Sequence, residues 1–206
     1  MRPSAIINYM KEWGITSYHV TEHGTVDVNK GVSIPPNLKH IPIKFGKVDG
    51  HFRCGGTYLR GGILCSLMNS PVEVTEGFEC DHSLIKSLKH GPKLVGGHVD
   101  VSYTDITTLE HAPQYIGGDC DCTGTKIASL RNFHVTNTDI VIKGTLHLPK
   151  DCAHLLSLAL MPGIKYLTLW ANKKPRAYLR RTDVIHDIFE WQEKLLDLGL
   201  VEQAQL

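Results

Sequence analysis

The chain has 206 residues, with 22 basic side chains against 21 acidic ones and a formal net charge of +1. That length suffices for one cooperative core, and the near-balance of charge excludes a bulk electrostatic pull toward nucleic acid or an anionic membrane. No early stretch combines a charged start, an apolar run and a small-residue cleavage site, and no apolar run approaches the ~20 residues of a bilayer span. The expectation is a soluble, intracellular protein whose partners are met through local faces.

Residues 1–25 read as an N-terminal cap. Ile6, Ile7, Met10 and Trp13 share one side of a short helix that Pro3 can open and Gly14 can close with a left-handed residue. Tyr18 and Val20 then face Val26 and Val28 across the Gly-containing turn Thr21-Glu22-His23-Gly24, a hairpin signal.

Residues 26–170 carry a repeat. From Leu64 to Leu130 six columns recur every 21 residues: Leu64, Ile85, Ile106, Ile127; Leu67, Leu88, Leu109, Leu130; Pro71, Pro92, Pro113; Val74, Val95, Ile116; Phe78, Val99, Cys120; and Cys80, Val101, Cys122. A period in the twenties is what a solenoid requires, because one short strand and its return path can bury an apolar side only against a neighbouring copy. The alternation in Gly97-His98-Val99-Asp100-Val101 marks a strand with one buried side.

The same columns extend backward at an offset of 26, from Leu64 to Leu38, Leu67 to Ile41 and Val74 to Val48. Val26 and Val28 precede Phe52 and Cys54 by that same offset and read as the first repeat strand, which makes Asn29–Asn37 and Gly55–Ile63 protruding loops. After Leu130 the spacing predicts strands at Ile140 and Ile142 and then, after a longer final step, at Leu167 and Leu169, while Cys152 and Leu155 repeat the step from Leu64 to Leu67.

Residues 171–206 read as a linker and a capping helix. Val184, Ile185, Ile188, Phe189, Gln192, Leu195 and Leu196 form a stripe between an Asp183 cap and a Gly199 stop. Such a helix covers the apolar end that no further repeat covers. The three segments together make one cooperative α+β unit.

Several stretches resemble a known family. Gly24-Thr25-Val26-Asp27-Val28-Asn29, Ile41-Pro42-Ile43-Lys44-Phe45-Gly46-Lys47-Val48, Ala112-Pro113-Gln114-Tyr115-Ile116 followed by Gly117-Gly118-Asp119-Cys120-Asp121-Cys122, and Trp191-Gln192-Glu193 are similar to short leucine-rich-repeat-like proteins encoded by tailed bacteriophages. The resemblance covers nearly the whole chain and implies a right-handed leucine-rich-repeat-like solenoid, period 21 to 27, with a parallel sheet between helical caps. It also implies a phage protein acting in the host bacterial cytoplasm. Ser83, Thr104 and Thr125 stand where such repeats usually place Asn, and a hydroxyl replaces only part of what a carboxamide gives the neighbouring backbone.

The outward strand positions hold the candidate site. Reading across units places Arg53, Glu79, Asp81, His98, Asp100, Asp119 and Asp121 together, with five carboxylates on three neighbouring strands. Like charges one strand apart repel. A solvated face is the ordinary reading of such a strip; the functional one is that it receives a basic protein surface. On that reading the chain is a non-enzymatic binder of a host protein, with a virion component and an enzyme lacking any known motif as the alternatives.

Other chemistry finds little footing in the residues. Gly96-Gly97-His98-Val99-Asp100 resembles a calcium β-roll repeat only faintly, since the third Gly is missing. His90 and His111 are in phase, but two imidazoles make a thin metal site; of the six cysteines, Cys54, Cys80 and Cys122 fall in one core column and Cys120 in the next, and there is no Cys-x-x-Cys pair. Gly55-Gly56 and Gly61-Gly62 lack the Lys-Ser/Thr of a phosphate loop. Lys173, Lys174, Arg176, Arg180 and Arg181 read as a solvated basic linker without the aromatic interleaving of a nucleic-acid site. No metal and no cofactor is expected.

Overall fold

The structure is a computed structural model that describes residues 3–137, 139–171, 174–180 and 188–205. Helix α1 (Pro3–Glu12) precedes strands β1 (Tyr18–Val20), β2 (Val26–Val28), β3 (Val32–Ser33), β4 (Phe45–Val48) and β5 (Phe52–Arg53). Three similar pairs follow: β6 (Glu73–Val74) with β7 (Phe78–Glu79), β8 (Leu94–Val95) with β9 (Val99–Asp100), and β10 (Tyr115–Ile116) with β11 (Cys120–Asp121). The chain continues through α2 (Phe133–Thr136), β12 (Val141–Pro149), a 3-10 helix (Leu155–Leu160), β13 (Ile164–Ala171), β14 (Lys174–Arg180) and α3 (Ile188–Asp197).

These elements make an α+β protein around an open, mostly parallel sheet. One row of strands runs β1-β2-β4-β6-β8-β10 and the other β3-β5-β7-β9-β11; both end on β12, which pairs with β10 through Val141 and Ile142 and with β11 through Leu146 and His147. The recurrence read in the sequence is spatial: Val74 pairs with Val95 and Val95 with Ile116, while Phe78 pairs with Val99 and Val99 with Cys120. Each unit therefore contributes two short strands, where the sequence predicts one.

Alternation along each strand decides which side is buried. Ile85, Ile106, Ile127, Leu67, Leu88, Leu109 and Leu130 are all buried beneath the rows, and Phe52 stacks on Phe78 at 6.0 Å. At roughly 1.5–3 kcal/mol for each large apolar side chain buried, these columns contribute much of the cohesion between units, beside the backbone hydrogen bonds that join their strands. The backbone repeats as well: left-handed φ recurs at Asn69 (75°), His90 (69°), His111 (65°) and Asn132 (57°), and again at His82 (49°), Tyr103 (54°) and Gly124 (67°). Turns that require an unusual conformation at a fixed interval are a stricter sign of repetition than hydrophobicity.

The hydroxyls in the position of the usual Asn are buried, and each serves its own strand. Ser83 donates to the carbonyl of Cys80 (2.6 Å), Thr104 to that of Val101 (2.7 Å) and Thr125 to that of Cys122 (2.7 Å). They close the turn after the second strand of each unit.

Four expectations need correction. Val28 pairs with Val48, and Val32, not Val26 or Val28, aligns with Phe52; the first step is therefore shorter than the expected offset, and Asn29–Asn37 contains β3 rather than forming a protruding loop. An isolated Val-x-Val cannot distinguish two strand rows that share the same alternation. Ile142 pairs with Ile116, and it is Leu146 and Leu148, paired directly with Leu167 and Leu169, that continue the second row, so the final step is a regular one and the expected lengthening is not present. Gly144 lies at the register shift in β12 that makes this possible.

Lys174–Arg180 is not a linker but a strand, antiparallel to β13, which carries the sheet past residue 170. Lys and Pro obscure its strand character because an edge strand tolerates both. Lys173 and Arg181 lie outside the described residues, as do Asp183, Val184 and Ile185 of the expected C-terminal helix. Within α3 the buried side is Trp191 and Leu195, joined beyond it by Leu200 and Ala204, whereas Phe189 and Leu196 are exposed. The helix is thus rotated from the predicted stripe, and the tail after Gly199 (φ 70°) returns to bond the 3-10 turn, Leu155 N–H donating to Gln203 O at 2.9 Å.

The N-terminal cap follows its reading more closely. Ile6 and Met10 are buried, Ile7 is exposed, Gly14 is left-handed (φ 68°), and the hairpin pairs Tyr18 with Val28 and Val20 with Val26. No helix among the described residues is long and apolar enough to cross a membrane.

Candidate protein-binding face

With Phe52, Phe78, Val99 and Cys120 turned inward, the residues after them turn outward in register: Arg53 beside Glu79, Glu79 beside Asp100, Asp100 beside Asp121, and Asp121 beside His147. The predicted site residues are thus brought together, each about 4.8 Å of strand spacing from the next. Asp81, His98 and Asp119 flank this line on the same three units.

The carboxylates are not bare. Glu79 is bonded by Arg53 Nε and approached by His98 Nε2 at 3.4 Å. Asp81 meets His82 Nδ1 at 2.9 Å. Asp100 accepts from the Ser102 N–H (2.9 Å), Asp121 from the Thr123 N–H (2.8 Å) and Asp119 from the Thr145 N–H (2.7 Å), with His147 Nε2 at 3.9 Å from Asp119. Backbone amides and one guanidinium therefore offset the repulsion that spacing alone predicts.

Depth varies across the face. Glu79 and Asp81 are recessed, with side chains 16% and 24% exposed, while Arg53, His98 and Asp119 stand at the rim. Burial pushes the Asp100 carboxyl above its usual range; the hydrogen bonds from Ser102 oppose the rise, and the charges of Asp81 and Asp121 add to it. Five carboxylates against the Arg53 guanidinium leave the face negative while its histidines are neutral.

Beside the strip runs a ring ladder that apolar spacing does not reveal. His82 stacks on Tyr103 (centroids 4.7 Å, planes at 25°), and Tyr58 meets His82 edge-on at 6.1 Å. A side chain on Gly124 would collide with the Tyr103 ring, so the ladder rests on that glycine. The signal that could have found it is the in-phase placement of His82, Tyr103 and Gly124, three residue types that share no hydropathy. At the other end of the line His147 accepts from Trp170 Nε1–H at 2.9 Å.

A separate cleft of about 570 Å³ opens where the turn residues His90, Lys93, His111 and Gln114 face Asn137 and Ile140. Both in-phase histidines line it, and His111 Nε2 lies 3.7 Å from Glu110. Among the described residues no group of three or more His, Cys, Asp or Glu is placed to hold a metal ion. The cysteines are free thiols; Cys54, Cys80, Cys120, Cys122 and Cys152 are buried and Cys65 is half-buried. Burial pushes the Cys152 thiol up to about 12.

Fold and face together define an α+β protein with a repeat-like parallel sheet whose outer side is acidic and edged with aromatic rings. No family model matches the chain, and no curated protein or solved structure matches it.

Proposed function

We propose that the repeat-like sheet is a right-handed, leucine-rich-repeat-like solenoid and that the chain is a non-enzymatic binding module. On this reading it is a bacteriophage protein that engages a basic surface of a host protein in the bacterial cytoplasm and modulates or inhibits it. The observation that carries the reading is the registered line Glu79–Asp100–Asp121 with Asp81 and Asp119 beside it. Carboxylates whose oxygens are oriented by backbone N–H groups form a fixed charge pattern, and a fixed pattern loses little side-chain entropy on binding and favours partners of opposite charge.

Affinity capture from bacterial lysate with wild type and an Asp100→Lys/Asp121→Lys variant tests this. The wild type recovers a discrete partner and the variant loses it. Equal recovery of the same protein by both contradicts the role of the face.

A further inference from the structure

The loop 55–63 is built to hold two large apolar side chains out in water. Its ends are pinned to the next unit, where the Gly56 N–H donates to Asp81 O (2.8 Å) and the Gly62 N–H to His82 O (2.7 Å). Gly56 and Gly62 also pack backbone to backbone, leaving no room for a Cβ at position 56. The tip is closed by paired bonds, Thr57 N–H to Arg60 O (2.7 Å) and Arg60 N–H to Thr57 O (3.0 Å). Between them Tyr58 is 72% and Leu59 89% exposed.

These four backbone hydrogen bonds hold the loop in a conformation that exposes both side chains. It is also placed beside the acidic line: the carbonyl that anchors Gly56 is that of Asp81, and Tyr58 leans on His82, whose Nδ1 holds the Asp81 carboxylate. A rigid aromatic and an aliphatic tip beside desolvated charges is the composition of an interface anchor, in which a few large residues supply most of the affinity.

We propose that Tyr58 and Leu59 are the apolar anchor of the acidic face and that the partner segment is basic and amphipathic, placing Lys or Arg on Asp81, Asp100 and Asp121 and an apolar side chain against the loop tip. This rests on the binding role of the acidic face, which supplies the charge complementarity, and adds to it the chemistry that selects among basic partners. Arg60 at the same tip disfavours a segment that carries only cations.

The test uses two synthetic peptides of equal length and equal Lys/Arg content, one with leucines at helical spacing and one with serine in their place, titrated onto the full chain by fluorescence anisotropy. The leucine peptide is expected to bind at least about tenfold more tightly, a gap of roughly 1.4 kcal/mol, and Tyr58→Ser/Leu59→Ser is expected to close the gap while the serine peptide still binds in a salt-dependent way. Equal affinity of the two peptides for wild type, or a gap that survives in the variant, overturns the anchor alone. No salt-dependent binding of either peptide overturns the acidic-face reading with it. Tyr58 and Leu59 are solvent-exposed, so a thermal melt matching wild type confirms that the variant is folded.

Discussion

Residues 64–130 repeat at 21, whereas the unit before them and the unit after them are each stretched to a step of 26, from Val48 to Val74 and from Ile116 to Ile142. In the regular run every turn hydroxyl, left-handed residue and buried leucine falls over its counterpart, and the outer side is an even lattice of charge. In the stretched units the additional residues cannot enter the stack. One insertion becomes the pinned loop with Tyr58 and Leu59, and the other becomes α2 and the segment that walls the 570 Å³ cleft with Asn137 and Ile140. The regular run supplies an evenly spaced charge pattern, and on the proposed binding role the departures from it would supply the features that distinguish one partner from another.

That contrast can be broken from its strong side first. Leu109 is buried in the middle of the regular run, so Leu109→Ala is expected to lower unfolding free energy by about 2–5 kcal/mol in a chemical denaturation series. Gly117 comes next: a Cβ there would strike the carbonyl oxygen of Gly96 in the unit below, and Gly117→Ala is expected to cost about 1–3 kcal/mol. Removing Thr57–Gly61 returns that unit to the regular step, and stability is expected to change by less than about 1 kcal/mol, since loop length enters stability only weakly. A deletion that destabilises as much as Leu109→Ala would show that the loop belongs to the stack.

The smallest effect is a matter of pH. Asp100 has a carboxyl raised in the folded state, so ionising it costs the fold more than it costs the unfolded chain. Stability is therefore lost as pH rises from the ordinary carboxylate range through the raised value. Asp100→Asn, which keeps an acceptor for the Ser102 N–H, is expected to melt slightly higher than wild type at pH 7 and to match it near pH 3. A variant that melts lower at pH 7 would show that the charge of Asp100 stabilises the fold.

How much is legible in the sequence follows the same division. Columns such as Ile85, Ile106 and Ile127 are visible in one sequence because stacking demands the same residue class at the same interval, and the outward set Glu79, Asp100 and Asp121 follows from alternation once the inward set is known. The row that holds β6 and β8 is less visible as strands: Val74 and Val95 recur as a column, but Glu73–Val74 and Leu94–Val95 are each a single pair of residues, too short to show the alternation of a strand. The first strand is misaligned by sequence reasoning because Val26, Val28 and Val32 satisfy the same pattern in two registers. In the site, the Asx-type bonds of Asp100 and Asp121 and the ring ladder depend on turn geometry, which hydrophobic spacing does not encode; positive φ at His82 and Tyr103 places those rings, and neither residue type announces it.

Isothermal titration of the captured partner at two salt concentrations, onto wild type and Asp100→Lys/Asp121→Lys, measures the role of the acidic face most directly. The account predicts wild-type affinity that falls as salt screens the face, and binding in the variant that is at least about a hundredfold weaker and no longer weakened by salt. Equal affinity in the two proteins, or a wild-type affinity indifferent to salt, would contradict it.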